Sequence, residues 1–298
     1  MDLRPLRYFV EVVRHRSFTR AAELLHISQP SISKMIRNLE EELGAVLLDR
    51  SARGVALTDA GQVVYARAQQ VISGLDDLTT ELNDLAGLVR GTVRVGMPPM
   101  VGVSFFPHVI AAFHAQHPKV RIRLYEDGAK KVEQAVAEGA LDLGIALLPV
   151  DEELFETFPF VEERLWLVVH PEHPLAGRPD VTVRELDRQD FILFREDFAL
   201  HDRILRAFQQ AGAEPEVVCE SSQWDFIGEM VAANLGVALL PEPICRRLDT
   251  RRIAFAEMAD PVIPWHLAVI WRKDRYLSFA ARGWIEFARE RLRKHPAE

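Results

Sequence analysis

Apolar residues along the first 43 positions recur with the spacing of three short helices. Leu6, Phe9, Val10 and Val13 fall at i, i+3, i+4 and i+7, so one stripe of a first helix faces a core. A second helix is expected to start with Thr19 as its N-cap and to run through Ala21, Ala22, Leu24 and Leu25. After a tight turn at His26-Ile27-Ser28, Ser28 is placed to cap a third helix, with Pro30 in the first turn where its missing N–H costs nothing. In that helix Ile32, Ile36, Leu39 and Leu43 point inward, which leaves Ser31, Lys34, Arg37 and Asn38 on the solvent side. Short hydrogen-bonding side chains and two cations near the start of the second helix of a helix-turn-helix suit entry into a DNA major groove.

The next segment, Val46-Leu47-Leu48-Asp49-Arg50-Ser51-Ala52-Arg53-Gly54-Val55-Ala56-Leu57-Thr58, reads as two short strands around a basic tip. A hairpin of this kind beside a helix-turn-helix is a wing, with Arg50 and Arg53 aimed at phosphates or the minor groove. Either feature alone would be ordinary solvated surface; their order and spacing together point to DNA.

Residues 58–88 contain no Pro, and Gly61, Gly74 and Gly87 are the only helix-weakening interruptions. Val64, Ala68, Val71, Leu75, Leu78, Leu82 and Leu85 recur at alternating spacings of four and three, the a/d seam of a coiled coil. So narrow a seam favours pairing with a second copy over packing on the chain's own domain. A two-fold dimer would set two recognition helices on successive major grooves of an inverted repeat.

Beyond residue 91 strand and helix patterns alternate. Strands are expected at 92–97, 120–126, 141–148, 165–170, 191–194, 217–220, 237–240 and 265–271. Helices are expected at 103–117, 129–138, 202–211, 224–233 and 279–294. This is an α/β region with a mostly parallel sheet, in two halves with a cleft between them, and ligands settle beyond the carboxyl ends of such strands. The last strand and helix are placed to return to the first half. The whole chain is thus an α+β multidomain protein: residues 1–58 bind DNA, 59–90 form a linker helix, and 91–298 form a two-lobed α/β domain. The first lobe takes about 91–161 and 267–298, and the second about 162–266.

Composition adjusts this picture in two places. The 298 residues carry a net charge of −8, which on its face disfavours nucleic acid. The charge is uneven, however: residues 1–60 hold nine Lys and Arg against eight acids, so the acidity lies in the remainder. No apolar run approaches the ~18 residues of a membrane span. Charges also stand where a signal peptide would be apolar, so a cytoplasmic protein with reduced Cys219 and Cys245 is expected.

The strings Phe18-Thr19-Arg20-Ala21-Ala22-Glu23-Leu24-Leu25-His26-Ile27-Ser28-Gln29-Pro30-Ser31-Ile32-Ser33 and Ile36-Arg37-Asn38-Leu39-Glu40-Glu41-Glu42-Leu43-Gly44 resemble the DNA-binding signature of LysR-type transcriptional regulators. Leu57-Thr58-Asp59-Ala60-Gly61 and Gly236-Val237-Ala238-Leu239-Leu240-Pro241 agree with it, and the resemblance covers the whole chain. One departure is Leu48, where the family commonly has Phe. The resemblance implies a winged helix-turn-helix, a linker-helix homodimer that assembles to a homotetramer, and an effector domain resembling periplasmic binding proteins. It also implies contacts to double-stranded DNA from Thr19, Ser28, Gln29, Pro30, Ser31, Ser33, Lys34, Arg37, Asn38, Arg50 and Arg53, with RNA polymerase as a further partner.

Gly96-Met97-Pro98-Pro99-Met100-Val101-Gly102, Phe194-Arg195-Glu196-Asp197-Phe198, Ser222-Gln223-Trp224-Asp225-Phe226 and Asp260-Pro261-Val262-Ile263-Pro264-Trp265-His266-Leu267 further resemble the Cid-type subgroup. Regulators of that subgroup control holin-like and overflow-metabolism operons and respond to acetate or related carboxylates. The family places its effector between the lobes, which maps here to Pro99, Met100, Val101, Leu148, Pro149, Phe194, Arg195, Phe198, Ser222, Gln223 and Trp224. Met100 stands where many relatives carry a hydroxyl, so an anion would turn to Arg195, helix-start N–H groups or Ser222. Core packing explains Met100, Phe198 and Trp224 equally well, and a surface ion pair with Glu196 or Asp197 explains Arg195.

A rival class is a binding protein or enzyme built on the α/β part with incidental DNA contact, but no convergent acid, base or nucleophile set is visible. Ser31-Ile32-Ser33-Lys34 matches S-x-x-K without its partner motifs. His114 with His117, and His170 with His173, read as turns before Pro118 and Pro174 rather than as metal pairs. No phosphate-binding Gly loop and no cofactor motif is present. A redox switch through Cys219 and Cys245 has only Arg246 and Arg247 in its favour.

Overall fold

The computed structural model describes residues 2–49, 55–85 and 91–294. The chain divides into two compact units, residues 1–88 with 138–140, and the remainder from residue 89.

The first unit opens with helices α1 (Leu3–His15), α2 (Phe18–Leu24) and α3 (Gln29–Leu43). Strands β1 (Leu48–Asp49) and β2 (Ala56–Leu57) then pair antiparallel as the wing, and α4 (Asp59–Leu85) follows. The α1 stripe behaves as its spacing predicts: Leu6, Phe9 and Val10 are buried together with Val12. The cap of α2 differs from expectation. Ser17, in extended backbone, accepts the Arg20 N–H at 3.2 Å, and Thr19 lies exposed inside the first turn. Ser28 caps α3 as expected and accepts the Ser31 N–H, a contact typically worth ~0.5–2 kcal/mol. Ile32, Ile36 and Leu39 are buried, but Leu43 is exposed because the helix ends there, at Gly44.

Four hydrogen bonds fasten the wing, α3 and α4 together. The Glu40 carboxylate accepts the N–H groups of Leu47 and Leu48 at 2.9 and 3.2 Å. Thr58 Oγ1 donates to the Val46 carbonyl at 2.6 Å and accepts the Gly61 N–H at 3.0 Å. Gly61 is a steric necessity, since a Cβ there would lie 2.0 Å from the Leu47 carbonyl oxygen.

The seam of α4 has two functions along its length. Ala68 is buried and Val64 half-buried against the first unit's own core, contrary to the purely intermolecular role expected of them. Val71 and Leu78, further along, are exposed. The side chains of Leu82 and Leu85 lie outside the described residues.

The second unit begins with β3 (Gly91–Met97), α5 (Pro99–Phe105), α6 (Pro107–Gln116), β4 (Val120–Glu126), α7 (Ala129–Ala137) and β5 (Leu143–Leu147). A single helix over 103–117 is expected from periodicity. Instead two helices meet at Phe106, because Pro107 takes the first helical position of α6. Next come β6 (Phe155–Val169), β7 (Asp180–Thr182), β8 (Asp190–Phe194), α8 (Ala199–Ala211), β9 (Glu216–Ser221) and α9 (Trp224–Ala232). The chain closes with β10 (Ala238–Pro241), α10 (Glu242–Cys245), β11 (Ala254–Asp260), β12 (Pro264–Arg272) and α11 (Phe279–Lys294).

The sheet is mixed, not mostly parallel. β3 is parallel to β4 and β5, but β12 runs antiparallel to β5 and β6, and β6 is also antiparallel to β10 and β11. β8 and β9 form a separate parallel pair. As expected, the last strand and helix return to the first half, where α11 stacks Trp284 on Phe106 of the α5–α6 junction at 5.9 Å. The antiparallel ladder of β6 and β12 crosses from one lobe to the other. Its register steps from Leu267 opposite Val161 to Ala268 opposite Pro159, so Phe160 is a bulge. The Phe160 ring packs edge-on against Phe105 and Phe106 at 5.7 and 5.8 Å.

Candidate functional site

The exposed face of α3 carries the predicted DNA contacts. Gln29, Pro30, Ser31, Lys34, Arg37 and Asn38 are exposed, with Ser28 at the cap and Thr19 on the neighbouring helix. Ser33 is half-buried, since its position turns it toward the flank of the helix. The Ser28 and Ser31 hydroxyls hydrogen-bond each other at 2.7 Å, which fixes the start of the helix. Among the described residues Lys34 and Arg37 have no ion pair and no side-chain hydrogen bond, unlike Arg4 and Arg14, which pair with Asp2 and Glu11. Two cations left unneutralised beside short polar side chains form an electrostatic footprint for a polyanion. Arg50 and Arg53 lie outside the described residues.

In the second unit a small apolar cavity of about 20 Å³ lies between the lobes, partly open to solvent. Met100 and Val101 from α5 line it, as does Phe198 before α8, three of the residues expected at an effector site. Pro98, Ala129, Leu147, Ala199, Leu200, Trp265 and Leu267 line it as well, and sequence reasoning misses all seven. They come from the strand ends and helix starts that meet there, and their one signal is the carboxyl ends of the strands at 92–97 and 141–148.

The other expected residues stand elsewhere. Phe194 is fully buried behind the cavity, its ring stacked on Phe198 at 6.0 Å. Arg195 forms a two-point ion pair with Asp197, both bonds 2.6 Å, and does not line the cavity. Pro149 is exposed, Pro99 half-buried, and Leu148 contributes its carbonyl to Arg203 instead of lining the cavity. Ser222, Gln223 and Trp224 form the entry to α9, where Ser221 Oγ accepts the Gln223 N–H, and none of them lines the cavity.

Two ion pairs link α7 to the start of α8. Lys130 meets Asp202 at 2.6 Å, and Lys131 meets Asp197 at 3.1 Å, so α7 of one lobe grips the start of α8 in the other. Arg195, and after it Lys131, hold the Asp197 carboxyl well below the usual carboxylate range. Hydrogen bonds to Asp127 and Asp197 raise the Lys131 ammonium. The approach is close enough that a Cβ on Gly128 would lie 2.4 Å from the Asp197 carbonyl oxygen.

Cys245 is fully buried, and burial pushes its thiol up, the opposite of a reactive thiolate. His170 and His173 each accept a nearby backbone N–H through Nδ1, as turn residues do. Among the described residues no group of three His, Cys, Asp or Glu could hold a metal, and no helix is long and apolar enough to cross a membrane.

Comparison with known proteins covers both units. Residues 3–62 match the model of bacterial regulatory helix-turn-helix proteins of the lysR family, and residues 86–293 match the LysR substrate binding domain. The chain is 53% identical over 292 residues to the HTH-type transcriptional regulator YwbI of Bacillus subtilis (strain 168), covering 98% of this chain and 97% of that one. It is 33% identical over 277 residues to the HTH-type transcriptional regulator BenM of Acinetobacter baylyi, covering 90% of each. Its fold superposes on a full-length OxyR variant from Pseudomonas aeruginosa with a TM-score of 0.69 at 27% identity, over 98% of this chain and 95% of that one.

Proposed function

The chain belongs to the LysR family of bacterial transcriptional regulators, and from that footing we propose that it reads an inverted-repeat operator as a homodimer whose geometry a small molecule in the cleft resets. That it is a DNA-binding regulator with an effector-binding domain, and not an enzyme, follows from the family. The observation that carries the operator reading is the α3 face, where Lys34 and Arg37 stand exposed and unpaired among the described residues. Thr19, Gln29 and Asn38 flank them, and the sequence adds Arg50 and Arg53 between the two wing strands. The test is a gel-shift titration of the full chain on the DNA upstream of its own gene. Binding tighter than to unrelated DNA by about 10³-fold or more is expected; equal affinity for both would overturn the reading.

Dimerisation through α4 is supported by Val71 and Leu78, which are 46% and 56% exposed at heptad spacing while Val64 and Ala68 are already engaged. Changing Val71 to Asp together with Leu78 to Lys is expected to halve the mass of the smallest assembly in sedimentation velocity. An unchanged mass would remove the coil. A second interface, completing a homotetramer, is supported by two complementary edges. The free edge of β4 shows Arg121, Arg123, Leu124 and Tyr125, while β9 and α9 show Glu216, Val217, Val218 and Phe226.

The effector reading is a small carboxylate, with acetate as its shortest case. The Cid-like segments at 96–102 and 260–267 support it, and with it control of holin-like and overflow-metabolism operons. Contact with RNA polymerase would follow at activated promoters, and such a regulator works in the cytoplasm. Footprints that differ with and without millimolar acetate would bear out the finer reading, and identical footprints would exclude acetate.

A further inference from the structure

The charge of the second unit is not spread evenly. Residues 91–125 carry four Lys and Arg and no acid, while residues 126–298 carry 21 Lys and Arg against 32 acids. Three of those four cations, Lys119, Arg121 and Arg123, fall within five residues where α6 hands over to β4, the strand at the edge of the sheet. All three are exposed, and among the described residues none has an ion pair or a side-chain hydrogen bond. Elsewhere in this unit Arg195, Arg246, Arg251, Arg252 and Arg272 each pair with an acid.

Two of these cations border a groove of about 400 Å³ between α6 and β4. Ile110 and His114 line it from successive turns of α6, Pro118 and Lys119 from the connection, and Val120, Arg121 and Ile122 from β4. Ile110 and Ile122 are half-buried against the core, while His114, Lys119 and Arg121 are exposed. Among the described residues no carboxylate lines it. Volume decides what can enter. Small-molecule sites span roughly 300–1,000 Å³, so this groove has room for a ligand. The 20 Å³ between the lobes is space for about one water.

We infer that the groove is a second ligand site, for a phosphate monoester with an apolar body. Lys119 and Arg121 together carry the two positive charges that balance a phosphate dianion, and a guanidinium takes phosphate oxygens in a two-point fork. The His114 imidazole adds a further hydrogen-bonding nitrogen on the facing helix. Ile110, Val120 and Ile122 offer the apolar surface on which the ester group lies. The site shares no residue with the interlobe cavity and requires no movement of the lobes. Arg121 also stands on the β4 edge assigned above to a second interface between copies, so the ester and a second copy compete for one guanidinium. The site itself does not depend on that interface.

The test is calorimetric titration of the full chain with phenyl phosphate, phenol and inorganic phosphate at low ionic strength, where exposed charges are least screened. Phenyl phosphate is expected to bind about tenfold or more tightly than phenol, through its two cation contacts. Burial of its ring should place it about tenfold ahead of inorganic phosphate as well. Lys119→Gln and Arg121→Gln should each weaken phenyl phosphate by about fivefold, and together bring it to the level of phenol. Both positions are exposed, so unfolding midpoints near that of the unaltered chain are expected. Phenyl phosphate binding that keeps its full strength in the folded double variant overturns the inference. So does inorganic phosphate or phenol that binds the unaltered chain as well as phenyl phosphate does, and so does failure of phenyl phosphate to bind. Sedimentation velocity reads the competition: saturating phenyl phosphate is expected to lower the mass of the largest assembly, and an unchanged mass removes the competition with a second copy.

Discussion

Replacing Lys34 or Arg37 by Ala is expected to weaken operator binding by about 1–3 kcal/mol per half-site, the usual cost of losing one good base contact. A two-fold dimer carries each residue twice. Both half-sites lose the contact together, and the dimer loses about 2–6 kcal/mol, enough to turn a specific complex into a non-specific one. Neither side chain has a protein partner among the described residues, so removing it leaves no buried group unsatisfied and should leave stability within about 0.5 kcal/mol. Salt separates the two possible roles. A lysine on a phosphate flattens the dependence of affinity on salt by about one counterion, and an arginine on a base edge relaxes specificity at one position instead. Titrations at two ionic strengths on matched and mismatched operators distinguish them. Unchanged affinity for both variants would take the recognition surface off this face of α3.

Gly61→Ala should damage operator binding from outside the exposed face of α3. Its Cβ would fall 2.0 Å from the Leu47 carbonyl oxygen, and that oxygen already accepts the Thr58 N–H. Neither backbone can yield alone: Leu47 is also tied to Glu40, and the Gly61 N–H is the one that Thr58 caps. The wing and the start of α4 must separate, and overpacking of this kind costs about 1–3 kcal/mol or more. Operator binding is expected to be lost, with a lower midpoint for the first unit's thermal transition and an unchanged one for the second. A variant that melts and binds like the unaltered chain would show that the wing junction is softer than its contacts imply.

Much of this is legible in the residues alone. Periodicity locates α1 and α3, and the Ser28 cap and inward Ile32, Ile36 and Leu39 stand as the pattern predicts. Two kinds of signal mislead. Thr19 and Ser17 are both competent caps two residues apart, and only the extended backbone at Ser17 decides between them. Pro107 sits inside an apolar pattern that continues on both sides, so a helix start looks like helix interior. The pattern of long β6 shows only its second half, because Pro159 and alternating charges hide the first. The cavity is harder for a different reason. Ala129, Leu147, Ala199 and Trp265 come together only after the chain has crossed between lobes twice, and no local pattern marks a residue as facing one neighbour rather than another. Arg203 gives no sign at all: it is an ordinary residue of an amphipathic helix until its carbonyl partners are known.

The bulge at Phe160 limits how an effector can be felt. A continuous antiparallel ladder resists bending in its own plane, because every hydrogen bond would have to stretch, yet it tolerates added twist where one residue is unpaired. Phe160, the unpaired residue of the ladder, is thus the point where added twist costs no ladder hydrogen bond. Its ring rests on Phe105, whose other neighbour is Trp265 at 6.1 Å, and Trp265 is a wall of the cavity. Aromatic packing thus runs unbroken from the bulge to the wall of the cavity.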